Sequence, residues 1–413
     1  MKWSQSVLAV AAIFLSIQLT ACSTLSLEEH SQRRTLKVIL YPFVPEKNSL
    51  FYVIEQEFEK AHPLIDLQYV DLASNYYDTN SANAITNTEA DVYEVDSVFL
   101  VDLVKGGRLQ PLPDRLIPIN GQFVHVAEQA SQYDGIWYGV PHWICTNFLF
   151  FQKGDSLRDA RSFADIEKMI GSHHNRGKGL LVDVKGKSTI GELYLDALID
   201  NFGSLEKATP YLSKDTINQE AETTLERAVL LCDQGYCRDD DYHETTGFYA
   251  RRFARNDGRA LVGYSERLFY VLDERLNSCR KDGENEQECV DPKGVDFIEL
   301  PLSASGSHPF AWVDTFAIAK TCNGQCLDDA TAFLTFVTSK EQVKQSLLPA
   351  WHSAPRYLMP AHVALYNDND LLKEAPLYSR MLSSLQKAIP VTGYQLNTKL
   401  REIGKELDLR LPK

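Results

Sequence analysis

Two periodicities alternate along the first part of the chain, and that alternation restricts the fold more than any other feature. Leu36-Lys37-Val38-Ile39-Leu40-Tyr41 reads as an apolar-rich strand, and Ser49 to His62 sets Phe51, Ile54, Glu55 and Phe58 at helical spacing. Ile65 to Val70 returns to strand. Ala90 to Asp96 predicts another strand, ending on a carboxylate, and Val98 to Val104 a short helix stopped by Gly106-Gly107. Strand, helix, strand, helix demands crossovers, hence a parallel sheet. Later strands are predicted at Arg259–Tyr264, Val295–Leu300 and Phe310–Ala319, with a helix at Asp328–Thr338 and a mostly helical stretch from Ile190 to Asp233. In the middle, Ile136 to Phe151 is long, apolar and extended, broken by Pro141, as suits a segment passing from one α/β unit to another. At 413 residues the chain is too long for one core, so two domains are expected.

The start of the chain reads as an export signal. Met1-Lys2 precedes an apolar run from Val7 to Leu19 that is too short to rest in a bilayer as a spanning helix. It ends Leu19-Thr20-Ala21-Cys22, which resembles the lipobox of bacterial lipoproteins and makes Cys22 the lipidation site. Residues 22–35 then form a polar tether, and the chain is expected outside the cytoplasm, anchored by lipid and facing the periplasm or cell exterior. A formal net charge of −14 argues against nucleic acid as a partner.

Eight cysteines less Cys22 leave seven, so one is odd in an oxidising compartment. Six are close neighbours in sequence: Cys232 with Cys237, Cys279 with Cys289, and Cys322 with Cys326. Their spacings match no four-ligand zinc pattern, so disulfides are expected and no metal. The odd one is Cys145, in His142-Trp143-Ile144-Cys145-Thr146-Asn147 on the crossing segment. A lone cysteine is commonly a small buried hydrophobe, and it is a strong nucleophile where a base activates it. His142 is a poor base for it, since residues three apart in a strand face opposite ways. Asp96, Glu266 in Gly263-Tyr264-Ser265-Glu266, and Asp314 in Trp312-Val313-Asp314 stand among apolar neighbours, where burial raises a carboxyl into the range of a general acid or base; each could equally be a cap or a surface charge. His173-His174 reads as a solvated loop. Gly177-Lys178-Gly179 lacks phosphate-loop spacing, and no HExxH or GxSxG occurs.

Asp91 through Leu112, Tyr133-Asp134-Gly135-Ile136-Trp137-Tyr138-Gly139-Val140-Pro141, and Phe333 through Glu341 together resemble the type II periplasmic solute-binding proteins. That resemblance implies an α/β fold of two lobes with the ligand in the cleft between them. The expected division is 1–21 signal, 22–35 tether, 36–143 plus 293–345 for the N-terminal lobe, and 144–292 plus 346–413 for the C-terminal lobe. Within that group the chain resembles the thiaminase I family, carried by Leu40-Tyr41-Pro42-Phe43-Val44-Pro45, Asp91 through Leu100, Gly139-Val140-Pro141 to Cys145, Tyr264-Ser265-Glu266 and Trp312-Val313-Asp314.

The family resemblance implies Cys145 as nucleophile toward the pyrimidine of thiamine, Glu266 as its activating base, and Asp96 and Asp314 as pyrimidine ligands. The reaction would be a base exchange between thiamine and a small nucleophile such as pyridine, aniline or a thiol, with no cofactor. Tyr41, Phe43, Tyr249, Tyr264 and Trp312 would hold the flat, cationic substrate, unless they simply pack the core. Phe43 and Trp312 stand where the family usually has tyrosine, and the stretch from Asn277 to Asp291 is longer than the family pattern. A different class remains open: a non-catalytic lipoprotein that binds thiamine, a sugar or another small solute for a transporter.

Overall fold

The computed structural model describes residues 33–72, 76–78, 84–171, 178–232, 237, 247–277, 289–304, 306–349 and 353–412. Cys22, the signal, most of the tether, Cys279 and His173-His174 lie outside the described residues. The expected opening elements are present as β1 (Arg34–Ile39), a helix Lys47–Ala61, β2 (Ile65–Tyr69), β3 (Val92–Asp96) and a helix Ser97–Lys105. β4 (Gln132–Tyr133) and β5 (Ile136–Trp137) make a small hairpin around Asp134-Gly135, both at positive φ. β6 (Gly139–Cys145) and β7 (Phe148–Gln152) follow, then β8 (Leu180–Leu181), β9 (Ala260–Gly263), β10 (Val295–Glu299), β11 (Phe310–Ile318), β12 (Met359–Pro360) and β13 (Ile389–Pro390). No helix among the described residues is long and apolar enough to cross a membrane.

Two sheets carry the two lobes. The larger runs β12-β6-β11-β3-β1-β2, with β13 on β11, and the smaller runs β10-β7-β9-β8. β1 pairs in parallel with β2 and β3, as the alternating pattern requires, whereas β11 lies antiparallel between β3 and β6. All nine residues of β11 are buried, which matches its continuous apolar run. The strands pass between sheets twice, from β6 to β7 and from β10 to β11. This is the two-lobed periplasmic-binding-protein-like architecture, with β6 and β7 inside the stretch read as a crossing.

Strand pairing redraws the expected division at two places. β10 pairs with β7, so residues 295–299 belong to the smaller sheet, and β12 and β13 pair with β6 and β11, so 359–360 and 389–390 belong to the larger. Strand partnership is a long-range property, and two-residue strands have no periodicity to read. The terminal helix Leu396–Arg410 packs on the helix Lys187–Phe202, and a Cβ at Gly191 would stand 2.2 Å from the Leu400 carbonyl oxygen. Only glycine allows that approach.

Candidate active site

Register across the larger sheet brings the expected residues together. Trp312 on β11 lies opposite Cys145 on β6, and Asp314 lies opposite Trp143 on one side and Asp96 on the other. Directly paired residues share a face and so do residues two apart, so Cys145, Trp312, Asp314 and Asp96 project from one side of the sheet. Asp96 is the last residue of β3, at the carboxyl end of the parallel strands, where ligands of open α/β sheets bind.

Asp96 caps a helix and also holds an aromatic hydroxyl. Its Oδ1 accepts from the Val98 amide at 3.0 Å and caps the following helix, while its Oδ2 accepts from the Tyr77 hydroxyl at 2.6 Å. Tyr77 and Tyr41 hydroxyls are 3.0 Å apart, and Phe43 stacks on Tyr77 with centroids 5.6 Å apart. Tyr76 donates to the Glu94 carbonyl and accepts from the Asp96 amide. Tyr41 and Phe43 therefore belong to an aromatic wall against Asp96, together with two tyrosines the sequence reading missed. A tandem tyrosine inside the polar segment Ser74 to Asp78 was the available signal.

Burial pushes the Cys145 thiol well up, and Glu266, Asp314 and Asp96 push it further, against a smaller pull from Arg267. Among those carboxylates Glu266 acts most strongly. The same burial, with Asp96, Glu94 and Glu266, holds the Asp314 carboxyl well above its ordinary range, so it keeps its proton and offers an O–H donor. Cys145 is the free cysteine among the described residues. Cys232 bonds to Cys237 and Cys322 to Cys326, and Cys289 is also in a disulfide. Trp312 is buried, and its indole N–H finds no hydrogen-bond partner among the described residues.

His142 is committed elsewhere. The β6–β11 ladder skips it, with Thr315 opposite Pro141 and Asp314 opposite Trp143, which is a β-bulge at His142, directly after Pro141, the residue that lacks an N–H. Its Nδ1 stands 2.6 Å from Glu94 Oε1, both side chains buried, and Glu94 Oε2 accepts from the Tyr41 amide at 2.7 Å. Glu94, two residues before Asp96 on the same face, was not singled out in the sequence, although a carboxylate in Val92-Tyr93-Glu94-Val95 was visible there.

The smaller lobe supplies the opposite wall. A cavity is lined by Asn147, Asp183, Glu192, Tyr249, Tyr264 and Arg267, among others. The Tyr264 hydroxyl donates to Glu192 at 2.6 Å, and Glu192 in turn bears on Tyr77 across the cleft. Tyr249 and Tyr264 thus line this cavity, which also borders Asn147, two residues beyond Cys145. Glu266 begins the turn into the helix Arg267–Asn277, held where Ser265 donates to the Tyr357 carbonyl at 2.6 Å. The whole arrangement offers a buried thiol, a carboxylate acting on it, a protonated acid, and an aromatic, negatively charged enclosure suited to a flat cation.

Residues 146–278 match the Thiaminase-1 domain family. Over 365 residues the chain is 27% identical to Thiaminase-1 of Paenibacillus thiaminolyticus, covering 86% of this chain and 81% of that protein. The solved structure of thiaminase I from Bacillus thiaminolyticus superimposes with a TM-score of 0.76 at 26% identity, covering 92% of this chain and 100% of that one. Clostridium botulinum thiaminase I in complex with thiamin gives a TM-score of 0.76 at 23% identity with the same coverage. A maltose-bound protein of T. maritima, at 15% identity and a TM-score of 0.65, covers 91% of this chain and all of its own and shares the fold alone. Residues 146–278 thus resemble the Thiaminase-1 domain, and the chain has the two-lobed fold that thiaminase I has in common with solute-binding proteins.

Proposed function

We propose that the protein degrades thiamine by base exchange, with Cys145 as the nucleophile. The observation that carries this reading is the lone buried thiol set opposite Trp312 among Glu266, Asp314 and Asp96, at the edge of the Thiaminase-1 domain. Glu266, the charge that acts most strongly on the thiol, takes its proton. Asp314 donates to a ring nitrogen of the aminopyrimidine, which leaves the ring carbon electron-poor, and Asp96 accepts from the amino group and orients the ring. The thiolate adds to that carbon, and the electron pair released into the ring expels the thiazole from the methylene as a neutral molecule. A pyridine, an aromatic amine or a thiol then adds to the methylene, and the cysteine departs as the ring regains its aromaticity. Because burial and the Glu266 and Asp96 carboxylates hold the thiol neutral at rest, the arrival of a cationic substrate is what makes the thiolate accessible.

Tyr41, Phe43, Tyr249, Tyr264 and Trp312 enclose the substrate in this reading, with the Trp312 N–H replacing the hydroxyl that a tyrosine would offer. Export and anchoring through Cys22 belong to the same proposal, and a Cys22→Ala chain should move from the membrane fraction to the soluble one. The activity test is release of free thiazole from thiamine in the presence of pyridine or aniline, beside Cys145→Ser. Turnover by the wild type and none by the serine variant supports the reading. Thiamine binding without turnover by either chain would make the protein a solute-binding lipoprotein instead.

A further inference from the structure

The helix Lys187–Phe202 carries two buried carboxyls, Asp196 and Asp200, one turn apart on one face and outside the cluster around Cys145. Each meets a different passage between the sheets. At the first passage, from β6 to β7, Asn147 Nδ2 donates to Asp196 Oδ2 at 3.1 Å. At the second, from β10 to β11, Asp200 Oδ2 accepts from the Leu302 amide at 2.7 Å and Oδ1 accepts from the His308 amide. The first passage leaves the strand that carries Cys145. The second enters the strand that carries Trp312 and Asp314.

We propose that Asp196 and Asp200 form one positioning unit that couples the two passages and so holds the cysteine strand and the Trp312–Asp314 strand in a fixed relation. The proposal stands on the two-lobed fold and uses the catalytic reading only for the meaning of Cys145. Both oxygens of Asp200 accept amide hydrogens, which suits the ionised form, whereas Asp196 meets only a neutral amide. Burial and Asp200 hold Asp196 well above the ordinary carboxyl range, and burial, opposed by the two amides and aided by Glu299, brings Asp200 to about 7. The pair therefore still holds protons well above the ordinary carboxyl range, and Asp200 gives up its own near neutrality. The groups that face it are Asn147, the Leu302 and His308 amides and Glu299, with the His308 ring near the helix end at Gly203. Gly191, where the helix Leu396–Arg410 closes in, lies about 140° and 180° around the helix from the two carboxyls, so that helix covers the other side.

The test is amide hydrogen exchange on the full chain from pH 5.5 to 8.5, with Asp200→Asn, Asp196→Leu and the isosteric Asp196→Asn. Asp200→Asn keeps one acceptor where the amides need two, and exchange at 302–308 should rise by about tenfold or more, the scale of one lost charge-assisted hydrogen bond. Coupling requires a rise at 146–148 as well, and Asp196→Leu should loosen 302–308 in return. In the wild type, exchange at both passages should step up as the pH rises through about 7, and Asp200→Asn, which cannot ionise, should remove that step at both, whereas Asp196→Asn, which keeps the Asp200 carboxyl, should retain it at 302–308. Effects confined to the passage each variant touches, or a step that persists in Asp200→Asn, would overturn the proposal. Exchange needs no turnover, so a chain that leaves thiamine intact still decides the question. Iodoacetamide labelling of Cys145 in the same variants reads whether the thiol itself has moved.

Discussion

The two walls of the cleft are built by different means. On the larger-lobe side, Cys145, Trp312, Asp314 and Asp96 sit on three hydrogen-bonded strands, and the ladder sets their spacing. All four are buried. On the smaller-lobe side, Tyr249, Tyr264, Glu192 and Glu266 come from helices and from the turn after β9, and Tyr264 and Glu192 remain half-buried and bonded to each other. In the proposed reaction the first wall fixes the reacting atoms, while the second brings charge and aromatic surface to them. A strand-borne geometry moves only if the sheet moves, so losses there should fall on the chemical step, and losses on the other wall mainly on binding.

Glu266, the proposed base, is the exception, and removing it is the sharpest way to break the comparison. Glu266→Gln should lower kcat by about 10² to 10⁴, the usual weight of a general base. The same change removes the strongest negative charge acting on Cys145, so the resting thiol should label with iodoacetamide as fast as the wild type or faster. Slower labelling in step with turnover would make Glu266 a structural support. Next in size, Asp96→Asn should cost about 10- to 100-fold, as for a lost hydrogen bond to a charged group. The cap and the Tyr77 bond should survive because asparagine can make both. Asp314→Asn should cost roughly tenfold or less, because the amide imitates a carboxyl that already holds its proton. The reverse order would reassign the acid.

The same charges determine the pH dependence. A raised thiol pKa makes kcat/KM climb as pH rises, and removing Asp96 should move the climbing limb to lower pH. On the smaller-lobe wall, Tyr264→Phe should raise KM for thiamine several-fold with kcat little changed, which steady-state kinetics would separate. The smallest effect expected concerns stability. Asp200 binds its proton more tightly in the folded chain than in the unfolded one. Its contribution is therefore full below the ordinary carboxyl range and is lost as pH rises through about 7. Denaturation of Asp200→Asn from pH 4 to 8 should flatten that decline.

Much of this was readable in the chain. The alternation that predicts β1, β2, β3 and their helices reflects burial of one face or both, which leaves its mark in composition and spacing. Cys145 stood out through the parity of cysteines, and Asp96 through its place at a strand end. What could not be read was adjacency. Trp312 lies opposite Cys145 only because β11 returns from the smaller lobe in one particular register, and no local pattern encodes that. The bulge at His142 likewise follows from the pairing of Pro141 with Thr315 and hands His142 to Glu94. Lobe boundaries at β10, β12 and β13 were missed for the same reason.

The central claim is that Cys145 carries the pyrimidine during turnover. Wild type and Glu266→Gln should be mixed with thiamine without an added nucleophile, quenched in acid, and analysed by intact mass and peptide mapping. The account predicts a mass increase equal to the pyrimidine with its methylene group, located on the peptide that contains Cys145, together with one equivalent of free thiazole. The adduct should disappear when pyridine is added. Thiazole release without a mass increase, or an adduct on another residue, would contradict the account.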